Sequence, residues 1–347
     1  MRVSGAWIVM ATLLAGEPVF AADVPASMPV PASMHAAAID RAGEAEVVRL
    51  HTLPVPKVGA DEVLIAVHTA GVGVWDSDVR RHPGQLKHPR FPLVLGSDGA
   101  GTVAAVGADV HGFRVGEAVY AYNWDNPAGG FYAEYVSVPA EHVGHVPRGL
   151  GLREAGAAVI SALTALQGID DRLHLRAGQT LIIYGASGAV GSLAIQFAKL
   201  RGARVLATAS GADAAAFVKG LGADAVVDAR RDDVAAAVRA FAPGGADAIL
   251  GLAGGKGLER CITALRPGGR LAFPKGIDPE PRARPGVTIE GYDAVSGPAQ
   301  YARLAAAIEA RALRVPIAAE YPLTEAAQAQ RRMEAGHVLG KIVLRVR

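Results

Sequence analysis

Seven consecutive residues, Gly185-Ala186-Ser187-Gly188-Ala189-Val190-Gly191, are the part of this 347-residue chain best suited to hold a phosphate. Small side chains let backbone N–H groups face an anion, and glycine at three places serves three needs. Gly185 permits a tight turn, Gly188 lets a dinucleotide approach the main chain, and Gly191 lets a helix pack closely on a strand. The spacing alone is weak in a chain with 42 glycines. Context supplies the rest. An apolar, largely β-branched run, Thr180-Leu181-Ile182-Ile183-Tyr184, precedes the loop, and an amphipathic stretch from Ala189 to about Arg201 follows it. Strand, glycine turn and helix in that order bring a helix N-terminus to a pyrophosphate.

A second group of residues is suited to a flat, electron-poor molecule. Val72-Gly73-Val74-Trp75-Asp76 follows one strand, and Tyr122-Asn123-Trp124-Asp125 lies in a loop shortly before Gly129-Gly130. Trp75 and Trp124 offer planar walls. Tyr122, Asn123 and Asp76 are the candidates for chemistry, with Asn or Tyr donating to a developing oxyanion and Tyr122 the candidate proton donor. The alternative, that these aromatics only pack a loop against the core, fits the sequence equally.

The elements that must position these residues change character along the chain. From residue 35 to about 155 short strands such as 63–67, 101–106 and 118–121 are punctuated by glycine and proline, which reads as a compact, mostly antiparallel β region. From about 156, helical stretches alternate with brief apolar strands at 180–184, 204–208, 225–227, 248–250 and 270–273. Alternation of that kind predicts right-handed crossovers and a parallel, doubly wound sheet. Gly202, Gly222 and Pro267-Gly268-Gly269 fall where helices should hand over to strands. A helix from about Ala299 to Ala312, a segment Pro316–Tyr321, a helix near Glu325–Ala335 and a strand Lys341–Val346 complete the chain.

Composition excludes several function classes. A net charge of +2, with no basic stripe carrying interleaved aromatics, argues against nucleic acid as a partner. Cys261 is the only cysteine, which rules out an intramolecular disulfide framework and a zinc site of several thiolates. It reads as a small buried residue. The apolar run Ala6–Gly16 is too short to span a bilayer, so no integral membrane association is expected.

In order and spacing the chain resembles the medium-chain dehydrogenase/reductase superfamily, specifically its zinc-free quinone-oxidoreductase branch. The matching pieces run from about Met34 to Arg347. They are Ala70-Gly71-Val72 with Asp76, Gly96-Ser97-Asp98-Gly99-Ala100-Gly101-Thr102-Val103, Arg114–Ala121, Gly129-Gly130-Phe131-Tyr132-Ala133-Glu134-Tyr135, the 185–191 loop and Gly340-Lys341-Ile342-Val343-Leu344. The resemblance implies an α/β protein: a GroES-like, β-rich catalytic domain at 34–157, completed by 297–347, with a Rossmann nucleotide-binding domain inserted at 158–296. It also implies a homodimer.

Departures from the pattern bear on the reaction. Where zinc-dependent alcohol dehydrogenases of the superfamily carry a cysteine ligand this chain has Gly73, and where they carry a His-Glu pair it has Ser97-Asp98. A catalytic zinc needs three protein ligands and an open position, which these residues do not supply. His68, His82, His88, His111, His142 and His145 are scattered without ligand spacing. Without a Lewis acid, hydride delivery to an already electrophilic small molecule, a quinone or an enone, is expected over simple alcohol oxidation. Two alternatives stand beside it: an alcohol dehydrogenase or aldehyde reductase with an unusual metal site, and a non-catalytic NADPH-binding protein.

Cofactor preference is read at the end of the second strand of the nucleotide domain, where an NAD site usually places an acid. Here that position is Ala207-Thr208-Ala209-Ser210-Gly211, so Thr208 and Ser210 are expected to donate to a 2′-phosphate, and NADPH is expected over NADH. By resemblance, Lys341 approaches that phosphate and Thr164 lies near the nicotinamide. Against NADPH, Asp213 stands where some relatives carry a lysine and Ala229 where they carry a tyrosine, with Arg230 or Arg231 as compensation. The nicotinamide end should meet Gly251–Gly255, Gly254 included, and Phe273–Gly276, both at carboxyl ends of parallel strands.

Residues 1–33 form a leader and a Pro, Ala and Ser-rich spacer with two readings. One is a secretory leader cleaved near Ala21, which would make the protein periplasmic or secreted. The other is a start at Met28 or Met34 and a cytoplasmic protein. The second is the expectation here, because Met34–Ile39 already begins a strand and a nicotinamide enzyme draws on a cytosolic cofactor supply.

Overall fold

The structure, a computed structural model, describes residues 30–127, 129–228 and 231–347. The two readings of the leader therefore lie almost wholly outside the described residues, as do Ala229 and Arg230. No described helix is long and apolar enough to cross a membrane.

Among the described residues the strands form three sheets. The expected doubly wound sheet is present. Its strands, in spatial order, are Ala225–Asp228, Arg204–Ala209, Thr180–Tyr184, Ala246–Gly251, Leu265–Pro274 and Thr288–Tyr292, all parallel. Counted from Thr180–Tyr184 the order is 3-2-1-4-5-6, so the direction of winding reverses between Thr180–Tyr184 and Ala246–Gly251. Ligands of open α/β sheets bind at that reversal. The sequence reading stopped at five strands. Thr288–Tyr292 was not foreseen because it is short, lies at the sheet edge and carries Glu290 and Gly291 among its apolar residues. Pro267-Gly268-Gly269 also differs from expectation: it lies inside Leu265–Pro274, where the register between that strand and Ala246–Gly251 shifts.

The other half is built on the eleven-residue strand Glu62–Val72. It pairs antiparallel with Asp98–Val106, Tyr135–Pro139 and Lys341–Arg345, in a sheet that also holds Ile317–Pro322, Ala118–Tyr122 and Val143–His145. Chain ends far apart in sequence thus meet in one sheet. A smaller antiparallel sheet of Arg49–Pro54, Ser33–Ile39 and Leu93–Val94 packs beside it. The helix Leu152–Gln167 is buried over most of its length and contributes to the same apolar core as Leu181, Ile183 and Leu193 of the parallel-sheet region.

Thr180–Tyr184 forms a strand because its β-branched and apolar side chains are buried between helices on both faces. The helix after it, Ala189–Leu200, begins at Gly188. A Cβ on Gly191 would lie 2.6 Å from Ala186 Cα and from the carbonyl oxygens of Ala186 and Gly185. A Cβ on Gly188 would meet nothing closer than 3.9 Å, and its φ of −74° suits any residue. Gly191 is therefore demanded by the protein's own packing, whereas Gly188 is not. Gly191→Ala should lower folding stability by about 1–3 kcal/mol in a denaturant titration. Gly188→Ala should leave stability within about 0.5 kcal/mol and weaken dinucleotide affinity at least about tenfold by calorimetry, or about 1.4 kcal/mol.

Candidate active site

The glycine loop is shaped by its neighbours in the sheet. Gly185 has a φ of +86°, a region glycine enters without steric cost. Its N–H donates to Thr208 Oγ1 at 2.9 Å, and the Ala186 N–H donates to the Thr208 carbonyl at 3.2 Å. Thr208 is buried, so its hydroxyl supports the loop from beneath instead of standing at the rim where a 2′-phosphate was expected. Ser210, half-buried, is the hydroxyl left at the end of that strand. The helix Ala189–Leu200 has no side-chain cap at its N-terminus, so the N–H groups of Ala189, Val190 and Gly191 have no side-chain acceptor there. An uncapped N-terminus behind a glycine turn, at the reversal of a parallel sheet, fits the pyrophosphate of a dinucleotide.

Around Gly211 three groups meet that the sequence did not bring together. The Gly211 N–H donates to Asp228 Oδ2 at 3.1 Å. Asp213, in the first turn of the helix Ala212–Gly220, lies with Oδ2 2.8 Å from His337 Nε2. The His337 ring holds the Asp213 carboxyl below its ordinary value. His337 comes from the other half of the molecule and has a positive φ of 51°, unusual for a residue with a Cβ. A sequence motif would not have singled it out.

At the opposite end of the crevice the loop after Ala246–Gly251 folds onto the glycine loop, with the Leu252 N–H donating to the Tyr184 carbonyl at 2.8 Å. Gly254 is glycine for an internal reason, since a Cβ there would overlap the Pro279 carbonyl oxygen. Phe273 is buried, with its ring against Gly291 and not open to the crevice. Thr164 donates its hydroxyl to the Ile160 carbonyl of its own helix at 2.8 Å, which is the backbone-bonded alternative for a helical threonine.

The catalytic half presents a buried polar cluster. Trp75 lies on the first turn of the helix Val74–Arg81 and donates its indole N–H to Ser97 Oγ at 2.9 Å. Its ring covers Gly73, where a Cβ would overlap the indole. Beneath the ring, Lys341 Nζ sits 5.0 Å from its centroid and 3.5 Å from Asp98 Oδ2. Lys341 is 2% exposed and Asp98 is fully buried. The separation is long for a hydrogen bond, and the Ile160 N–H also faces the Asp98 carboxyl from the helix Leu152–Gln167. Lys341 therefore turns inward to Asp98 and not to the rim at Ser210, a correction to the placement its motif implied. The cause is its position at the start of an interior strand beside Glu62–Val72. Burial pushes the Asp98 carboxyl above its ordinary value, against the pull of Lys341.

Asp76 is 2% exposed. Its Oδ2 accepts from the Gly73 N–H at 2.8 Å and from Tyr132 Oη at 2.9 Å. Burial is the largest influence on it and pushes its carboxyl up to about 7. The loop with Tyr122 and Asn123 lies alongside, the Asn123 N–H donating to the Ser97 carbonyl at 2.9 Å. Burial raises the Tyr122 phenol well above its ordinary value, which makes it a poor acid at neutral pH. Asp76, Asn123, Ser97 and Trp124 line one small cavity of about 30 Å³. Cys261 is buried and its thiol is pushed up to about 12 by that burial, so it is inert. Among the described residues no three His, Cys, Asp or Glu side chains converge in a metal cluster.

Comparison with known proteins places this arrangement. The family pattern described as Alcohol dehydrogenase GroES-like domain matches residues 59–148, and that described as Zinc-binding dehydrogenase matches residues 221–344. Quinone oxidoreductase of Sus scrofa is 31% identical over 326 residues, covering 90% of this chain and 97% of that protein. Among solved structures, an NAD-dependent alcohol dehydrogenase superposes with a TM-score of 0.83 at 31% identity, covering 90% of this chain and all of the other. A mycobacterial protein solved in complex with NADPH superposes with a TM-score of 0.81 at 29% identity and the same coverage. The chain belongs to the medium-chain dehydrogenase/reductase superfamily, in its quinone-oxidoreductase-like branch. It is an oxidoreductase.

One variant examines the packing over Gly73. Gly73→Cys restores the side chain that zinc-dependent members carry, yet its Cβ must enter the space of the Trp75 ring. The expected result is a loss of stability of about 1–3 kcal/mol and no bound zinc by elemental analysis. Trp75→Ala in the same chain should recover part of that stability.

Proposed function

We propose that this protein is a zinc-independent, NADPH-dependent reductase that delivers hydride to a quinone or an activated alkene. The observation that carries the reading is the Trp75 indole, which covers Gly73 and hydrogen-bonds Ser97. Two of the positions that hold the metal in the zinc-dependent members are thereby filled by packing, and the residues present are poor metal donors. An electrophilic acceptor needs no Lewis acid to accept hydride, whereas alcohol oxidation gains much from one.

In this reading a nicotinamide dinucleotide supplies the hydride and the chain supplies everything else. The loop Gly185–Gly191 holds the pyrophosphate through backbone N–H groups, and Ser210 donates to the 2′-phosphate. The loops at Gly251–Gly255 and Phe273–Gly276 bound the nicotinamide pocket. Trp75 and Trp124 provide flat walls for the acceptor, and Asn123 is placed to donate to the oxygen on which charge develops. The likeness to a quinone oxidoreductase and to a structure holding NADPH supports this reading.

NADH has one specific argument in its favour. Asp213 and Asp228 place two carboxylates about Gly211, close to where a 2′-phosphate would lie, and one structural relative is described as NAD-dependent. Two measurements separate the readings. Steady-state assays with both dinucleotides, a small quinone and an enone should show NADPH oxidation that chelators leave unchanged; activity lost to a chelator and restored by zinc would refute the zinc-free reading. Ser210→Asp should lower kcat/KM for NADPH by about 10–100-fold through charge repulsion while NADH improves or holds. Equal effects on both cofactors would remove Ser210 from the phosphate site.

A further inference from the structure

Hydride addition to an activated alkene leaves an enolate, and the reaction closes only when a proton reaches it. Tyr122 is poorly placed chemically for that task, since burial holds its phenol too weakly acidic. Asp76 is not. It lines the small cavity with Ser97, Asn123, Asn126 and Trp124. A space of about 30 Å³, with these polar groups facing the aliphatic side chains of Val79, Leu86 and Leu93, has room for one or two water molecules. The helix turn carrying Asp76 holds it on one wall, through the Gly73 N–H and the Tyr132 hydroxyl. The Tyr122–Trp124 loop, fixed by the Asn123 N–H to the Ser97 carbonyl, contributes to the same lining.

We propose that Asp76, in its acid form, is the proton donor of this enzyme, passing its proton through that cavity to the enolate of a reduced alkene. The inference rests on the reductase reading above. Hydride adds at the β-carbon of the enone and the alkene π pair moves toward the carbonyl. The Asp76 O–H bond then breaks, its proton travels over water, and a C–H bond forms at the α-carbon. Solvent reprotonates the carboxylate. The alkene has gained a hydride and a proton, and the dinucleotide has been oxidised by two electrons. A quinone makes a smaller demand, because its reduced oxygens take protons directly from solvent.

The charged and titratable groups that face Asp76 are Asp98, Lys341 and Tyr132. Burial pushes the carboxyl up, as does the negative charge of Asp98, while the Gly73 N–H, Lys341 and the Tyr132 hydroxyl pull it down. The balance, about 7, keeps the acid form available to near neutrality, where a general acid is most effective. Enone turnover should therefore hold below about 7 and fall as pH rises through it.

Three measurements test this together. Asp76→Asn should lower the ratio of enone to quinone turnover by about 10²-fold or more. In the ligand-free wild type, infrared spectroscopy should show a protonated-carboxyl band that titrates near neutral pH and is missing from Asp76→Asn. Tyr132→Phe keeps the acid but removes a hydrogen bond to its charged form, so both the band and the enone pH limb should move upward. If Asp76→Asn fails to fold, that paired shift decides the question. An unchanged enone-to-quinone ratio, or a carboxyl band that titrates in the ordinary aspartate range, overturns the inference alone. Turnover of neither acceptor class by the wild type overturns the reductase reading and the inference with it.

Discussion

Gly340 and Lys341, where the final strand begins, join the nucleotide loop to the β-rich sheet. The Gly340 N–H donates to the Ser187 carbonyl of the nucleotide loop at 2.9 Å, and Gly340 pairs with Gly188 in a parallel bridge. The next residue, Lys341, reaches in the other direction to Asp98 of the β-rich sheet. A backbone contact and a buried charge pair on adjacent residues couple the place where a pyrophosphate would rest to the place where an acceptor would react. A buried charge stripped of its partner costs several kcal/mol, so neither half of the pair is free to drift. Gly340 has a φ of +106° and no room for a Cβ beside the Pro316 carbonyl, which confines this junction to glycine.

The electrostatics of the catalytic half follow from what fills the position over Gly73. An indole gives no charge to its surroundings beyond the negative face of its ring, and that face lies toward the Lys341 ammonium. The ammonium is then the local positive charge for two buried carboxyls, Asp98 and Asp76. Asp98 lies nearest to it at 3.5 Å; Asp76 is farther along the cluster, and burial raises both carboxyls. Of the two carboxyls in this apolar setting, Asp98 faces the ammonium directly, whereas Asp76 is held by the Gly73 N–H and the Tyr132 hydroxyl.

Much of the fold was legible because it depends on local chemistry. The β-branched runs and the glycine turns mark the strands of the parallel sheet, and the helix Ala189–Leu200 ends within a residue of where its amphipathic pattern ends. The edge strand Thr288–Tyr292 escaped notice because an edge need not be apolar on both faces. In the candidate site, Gly185, Gly188 and Gly191 could be read from spacing, and Gly73 and Ser97 from resemblance. Thr208 by residue type and Lys341 by resemblance are the expected phosphate partners. Their side chains turn out to be engaged inside the protein, one by the Gly185 N–H and the other by Asp98. A hydroxyl or an ammonium at the right number in a sequence has no direction until its strand has neighbours.

The sequence by itself determined a dinucleotide loop between a strand and a helix and a β-rich region ahead of an alternating α/β region; its resemblance to a family added the closure of the β-rich domain by both chain ends and the vacant metal positions. The loop and the alternation are properties of residue type and short-range order, which the chain carries before it folds. Only the tertiary structure decided that the Trp75 indole bonds Ser97, that His337 reaches Asp213 and that Tyr132 bonds Asp76, because each joins segments whose meeting depends on sheet register and domain packing. The acidity of Asp76 belongs to the same group, since it comes from burial and from charges on distant strands.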